Sequence, residues 1–138
     1  MNRNEELYSV DTDKSVTQFV RDFGKVAKKY DFVVNNSDTM NMKNTFREHG
    51  AAVEDDFDLH MMHVCKPVKS AKSLSVNYER AIFMPKFVMV FSKDGRTQIR
   101  YLSFNSADIA TMVPDDPKYP ESLALTYSKI RSMIDEAR

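Results

Sequence analysis

Cysteine, glycine and tryptophan are scarce in this chain: one, three and none among 138 residues. A single cysteine permits no intramolecular disulfide, so no cystine framework holds the fold. Gly24, Gly50 and Gly95 are too few and too scattered to build a phosphate-cradling loop. An excess of one charge is missing too, because twenty Lys and Arg balance twenty Asp and Glu. Binding to nucleic acid or anionic membrane draws on a basic excess or stripe, and Lys25, Lys28 and Lys29 read instead as a solvated helix face. No run approaches the ~20 apolar residues of a membrane helix, and no apolar signal core follows the start. The expectation is a protein without nucleic-acid or membrane partners, cytoplasmic as it stands. The polar opening from Met1 to Glu6 would equally be left by removal of an export signal, which would make the protein periplasmic.

What is present is an ordinary globular mixture, 42% hydrophobic and 29% charged, long enough for one domain with its own core. We read residues 1–138 as a single domain. A strand is expected over 7–10. Ser15 and Gln18 form a capping box, and Val16, Phe19, Val20, Phe23, Val26, Ala27 and Tyr30 follow helical spacing behind it. Gly24 lies within this helix as a position for close packing. An extended exit over 31–34 and a turn over 35–38 lead to a short helix over 39–49, ended by Gly50. An acidic linker over 51–56 precedes a strand over 59–65. Pro67 breaks that strand, a helix runs over 70–83, and Pro85 stops it. Phe87 to Phe91, apolar at every position, is expected to be buried on both faces. Lys93-Asp94-Gly95-Arg96 makes a hairpin turn into a return strand over 97–104. A short helix over 105–112 follows, and a last helix over 120–138 carries the stripe Leu123, Tyr127, Ile130 and Ile134.

Val64-Cys65-Lys66-Pro67, then Met84-Pro85, then Val88-Met89-Val90-Phe91 and Asp94-Gly95 occur in an order and spacing with a counterpart. The pattern over residues 7–104 resembles the bacterial and archaeal family known as domain of unknown function 302, which often ends one strand with Cys-Asn-Pro. Lys66 stands where that family often has asparagine, and Lys86 where it commonly has a smaller or apolar residue. The resemblance implies an α+β domain: an antiparallel sheet of about four to five strands with helices packed on one face, assembled as a homodimer. It implies no reaction, and fold alone supplies none.

Chemistry concentrates in His60-Met61-Met62-His63-Val64-Cys65. Thioether, imidazole and thiolate are the donors that soft ions such as Cu(I) prefer, which makes His60, Met61, His63 and Cys65 candidate copper ligands. On a strand, however, Met61, His63 and Cys65 point to one side and His60 to the other. The competing reading is structural, since methionine fills core gaps and free cysteine is often buried. A helix after Pro67 aimed at Cys65 would activate the thiol, with Lys66 and Lys69 adding to the effect, yet no Cys-x-x-Cys partner exists. No Ser-His-Asp or zinc-protease signature occurs. The first expectation is a non-enzymatic, homodimeric domain that holds a small molecule near Cys65, Lys66, Pro67, Tyr78 and Pro85. A copper or redox-linked protein using the 60–65 segment and a thiol-dependent enzyme using Cys65 are the alternatives. Arg80 is expected in a surface ion pair. Phe83, Phe87, Phe91, Tyr101 and Phe104 are expected to cluster around the central strands.

Overall fold

A computed structural model describes residues 6–138, so most of the opening stretch read as a trimmed start lies outside the described residues. Five strands and five α-helices follow one another as β1 (Leu7–Thr12), α1 (Val16–Lys29), β2 (Val33–Val34), α2 (Met42–Glu48), β3 (Leu59–Cys65), α3 (Pro67–Val76), β4 (Phe87–Lys93), β5 (Arg96–Leu102), α4 (Ser106–Met112) and α5 (Tyr119–Ala137). The strands form one antiparallel sheet in the order β1-β5-β4-β3-β2. The chain is thus a single α+β domain with helices on one face of the sheet, as read from sequence. No helix among the described residues is long and apolar enough to cross a membrane.

Local chemistry explains most boundaries. Ser15 accepts a hydrogen bond from the Gln18 amide and starts α1, satisfying one of the orphan donors every helix start carries. The Gln18 side chain donates to Asp22 at 2.9 Å rather than reaching back, so only half of the capping box forms. Lys93-Asp94-Gly95-Arg96 closes the β4–β5 hairpin, with Asp94 and Gly95 both at positive φ, 55° and 75°. That pair of angles is the twist-matched two-residue turn that Asp-Gly favours. Pro120 occupies the first turn of α5, where its missing N–H costs nothing.

Four further expectations need correction. The helix read over 70–83 is two elements. Pro67 sits in the first turn of α3, and the helix ends at Asn77, whose extended backbone (φ −158°, ψ 111°) lets its side chain cap a following 3-10 helix, Tyr78–Phe83. Pro67 therefore starts a helix directly as well as ending a strand. Second, β4 is buried on one face only: Val88 and Val90 are fully buried, while Phe87, Met89 and Phe91 are half-buried on the other side. The aromatic cluster divides accordingly, with Phe83 and Tyr101 in the core and Phe87 and Phe91 on the open face. Third, Arg80 makes no surface pair. It grips Asp116 through two bonds of 2.6 and 2.8 Å with both side chains about nine-tenths buried. Fourth, Gly24 does not permit close packing, since a Cβ built there would meet nothing within 4 Å.

The core lies between the inward face of the sheet and helices α1 and α5. Phe19, Phe23, Met62, Val64, Val88, Val90, Ile99, Tyr101, Ile130, Met133 and Ile134 are buried there. The α5 stripe seen in the sequence, Leu123, Tyr127, Ile130 and Ile134, is buried against its own domain. Because Gly24 is unopposed inside a helix, Gly24→Ala is expected to stabilise the fold by roughly 0.5–1 kcal/mol. Urea denaturation of the two proteins measures it, and a destabilised alanine variant would contradict the open space.

Candidate functional site

Strand β3 alternates half-buried and buried residues along its length. His60, Met62 and Val64 face the helices, and Leu59, Met61 and His63 face the other way, as a period of two demands; Cys65, at the end of the strand, reaches the cavity beside α5. His60 is therefore separated by the sheet from Met61 and His63, Cys65 lines a different cavity, and the four candidate copper ligands do not converge. His63 is also engaged. Its ring stacks on Phe87 at 4.9 Å, Nδ1 lies 2.7 Å from Asn35 Oδ1, and Nε2 lies 3.4 Å from the Met84 carbonyl. Among the described residues no three His, Cys, Asp or Glu side chains gather in a group that could hold a metal ion.

The structure instead assembles a small cavity where β3 ends. Cys65 and Lys66 supply one wall. Helix α3 begins at once, so Lys69, Ser70 and Ser73 follow from the same side at helical spacing. Met84 and Lys86 enter from the segment before β4, and Tyr119, Ser122, Leu123 and Thr126 from the first turns of α5. The cavity volume is about 40 Å³. At ~10–15 Å³ for each water position, that is room for about three waters or one small oxyanion.

Lys86 gives the cavity its character. It lies two residues before Val88, so strand alternation turns it inward, and only 9% of it is exposed. Its Nζ donates to the Phe83 carbonyl at 2.7 Å. Burial pulls its pKa from 10.5 down to about 8, with the nearby Cys65 acting in the opposite direction and Lys69 adding to the fall. Burial, and then the charge of Lys66, also lower Lys69, whose Nζ donates to Thr126 Oγ1 at 2.9 Å. Cys65 Sγ stands 3.9 Å from Ser70 Oγ. Tyr119 is 4% exposed, and its hydroxyl is buried without a hydrogen-bond partner. Burial raises that phenol to about 12, so it remains a proton donor. Three ammonium groups, several hydroxyls and no carboxylate line the space. The lining offers positive charge and hydrogen-bond donors without a competing carboxylate.

An ion-paired brace holds the walls together. Asp116, in the loop before α5, takes both bonds from Arg80 and a third from Asn77 Nδ2 at 3.0 Å. Arg80 also donates to Ser73 Oγ at 3.0 Å and lies 4.7 Å above the Tyr119 ring. The brace thus connects α3, the 3-10 helix and the start of α5.

Of the residues singled out from sequence, Cys65, Lys66 and Lys69 reach the cavity. Pro67 starts α3 beside it, lining an outer groove with Val33 and Val68. Tyr78 is 84% exposed, because the break at Asn77 turns it outward, and Pro85 is exposed between the inward-facing Met84 and Lys86. Lys86 and Tyr119 join Cys65, Lys66 and Lys69 in the cavity. The alternation Lys86, Val88, Val90 would have found the first. The second needs the tertiary approach of α5.

A family model described as "Domain of unknown function DUF302" matches residues 8–137, past position 104 and through α5. A crystal structure of an uncharacterized conserved DUF302 protein from Bacillus stearothermophilus superposes with a TM-score of 0.75 at 20% sequence identity, covering 96% of this chain and 98% of that one. At that identity the likeness concerns the fold. No curated protein matches the chain.

Proposed function

Since the chain belongs to the family described as domain of unknown function DUF302, which brings no reaction with it, we propose its function from the cavity: a non-enzymatic domain that binds a small oxyanion beside Cys65 and works as a homodimer. The observation that carries the reading is Lys86, a buried lysine whose ammonium has one carbonyl partner and no carboxylate within the cavity it lines. An unpaired buried charge is costly unless something compensates it. A bound anion would do so, and Lys69, Ser70, Ser73 and the idle Tyr119 hydroxyl would complete its shell.

Binding of sulfate, which keeps its charge across the working pH range, separates this reading from thiol chemistry. Calorimetry at pH 7 is expected to detect one sulfate per chain, weakened by several-fold at pH 9 as Lys86 loses its proton. Lys86→Met is expected to abolish binding, and Cys65→Ser to leave it within about threefold, on the order of half a kcal/mol. Equal affinity in wild type and Lys86→Met would remove the proposal. Loss in Cys65→Ser with fast alkylation of Cys65 would favour the thiol-dependent alternative.

The open face of the sheet supports the dimer. Leu59, Met61, Phe87, Met89 and Phe91 lie half-buried there, and Leu102 is 60% exposed. Apolar faces of this kind mark association surfaces. Its charges are the cations Lys93 and Arg100 and the internally paired Asp11 and Arg96. Met89→Lys is expected to convert a dimer to a monomer in sedimentation velocity at micromolar concentration without changing circular dichroism. A wild-type chain that sediments as a monomer at 100 µM would exclude this assembly.

A further inference from the structure

The inward face of β3 carries a second group of side chains, on the opposite side of the strand from His63. His60 is 8% exposed, and its Nδ1 is buried with no hydrogen-bond partner. Native structures leave few such atoms, and each one calls for a reason. Asp58 Oδ1 stands 3.8 Å from Nδ1. That is too far for a hydrogen bond, so Nδ1 is left without a partner.

The imidazole lines a pocket of about 320 Å³ together with Met40 and Met62. Sequence explains the gathering. His60 and Met62 are two apart on β3 and so share its face. Met40 is clamped beside them, because its carbonyl accepts from the Met61 amide at 2.9 Å and Asn41 forms a β-bridge with His60. Gly24 lines the same pocket from α1, where it faces open space.

We propose that His60, Met40 and Met62 form a binding site for a soft monovalent metal ion of the Cu(I) type. One imidazole and two thioethers are soft, neutral donors; magnesium or calcium would need oxygen ligands that this set lacks. Both methionines are unbranched with three rotatable bonds, so their sulfurs turn from packing to ligation without backbone movement. Arg21, exposed at the mouth, places a like charge there that opposes a doubly charged ion twice as strongly as a singly charged one. The site shares only His60 with the copper ligands read from sequence, and it stands independently of the anion cavity at Cys65.

Silver(I), a redox-stable stand-in for Cu(I), tests it in a Cys65→Ser background where the thiol cannot compete. Native mass spectrometry is expected to show one ion per chain, with the imidazole resonances of His60 shifting on binding. Met40→Leu and Met62→Leu conserve volume and are each expected to weaken binding at least tenfold in chelator competition. His63→Ala should leave it unchanged. Metal-free thermal unfolding of each variant verifies that the fold persists. No retained silver, or equal affinity in the folded Met40→Leu/Met62→Leu double variant, would overturn the site, as would loss of binding in His63→Ala with both methionines intact.

Discussion

Asp116→Ala is expected to lower the stability of this domain by about 3 kcal/mol, more than any surface substitution would. The reason lies in what remains. Arg80 would stay about nine-tenths buried, with its guanidinium stacked on Tyr119 and facing no carboxylate. Removing one member of a buried pair costs more than the pair contributes, because the other charge is left without its solvent or its partner. In a domain of 138 residues this corresponds to a fall in Tm of roughly 10 °C. Replacing both residues, as in Arg80→Met/Asp116→Leu, is expected to be milder than the single change, with a coupling above ~1.5 kcal/mol in the double-mutant cycle. The pH dependence has a definite sign. The hydrogen bonds from Arg80, with Asn77 assisting, hold Asp116 below its ordinary carboxylate value. Its contribution is therefore fully present above about pH 4 and lost as pH falls through the lowered value. Urea denaturation at pH 7 and pH 3 checks both statements. Additive single-mutant effects would contradict the brace.

Lys86→Met is expected to act in the opposite direction and make the protein more stable at pH 7. The pKa of Lys86 falls from 10.5 to about 8 on folding. Between those values the unfolded chain holds a proton that the folded chain has released, so wild-type stability rises with pH across that window. The full span is worth about 3 kcal/mol, and the charged state bears that cost at neutral pH. Methionine removes the cost but forfeits the 2.7 Å bond to the Phe83 carbonyl, a loss of ~1–2 kcal/mol. A net gain of about 1–2 kcal/mol at pH 7 follows. The gain should vanish near pH 10, where the wild type has shed its buried charge. Tyr119, held up to about 12 by burial, and the still higher Tyr101 and Tyr127 resist ionisation in the fold. Their unfolded counterparts ionise near 10, so stability turns down above that pH. Chemical denaturation at pH 7, 8, 9 and 10 resolves the two regimes. A variant less stable than wild type at pH 7 would show that Lys86 is structural. Together with abolished anion binding, higher stability would mark it as a residue kept for binding at the fold's expense.

Most of the fold was legible because its signals are local. Ser15 with Gln18, Asp94-Gly95, Pro120 and the alternation of Leu59 to Cys65 each act within a few residues, and each produces the element it predicts. The break at Asn77 was missed because Leu74, Tyr78, Ala81 and Ile82 keep helical spacing across it. A cap competes there with continuation, and Asn77 also gains a bond to Asp116, 39 positions away. The one-sided burial of β4 was missed because an apolar run cannot reveal whether a second layer covers it. At the site, Cys65 and Lys66 were visible as a motif, whereas Lys86 and Tyr119 meet only after α5 folds back over β3 and β4. The 60–65 segment was chemically suggestive, but only the structure shows that Met40 and Met62, rather than Met61 and Cys65, share a pocket with His60.

The most direct test of the anion-binding account is the titration of Lys86 itself, followed through its ε-carbon resonance in lysine-labelled protein and assigned by its disappearance in Lys86→Met. Without added anion, the midpoint is expected near 8. Saturating sulfate should raise it by at least about one unit, or roughly 1.4 kcal/mol, because a bound anion favours the ammonium form. A midpoint that sulfate does not move would contradict anion binding at Lys86, and a midpoint near 10.5 without sulfate would show that the ammonium is not buried at all.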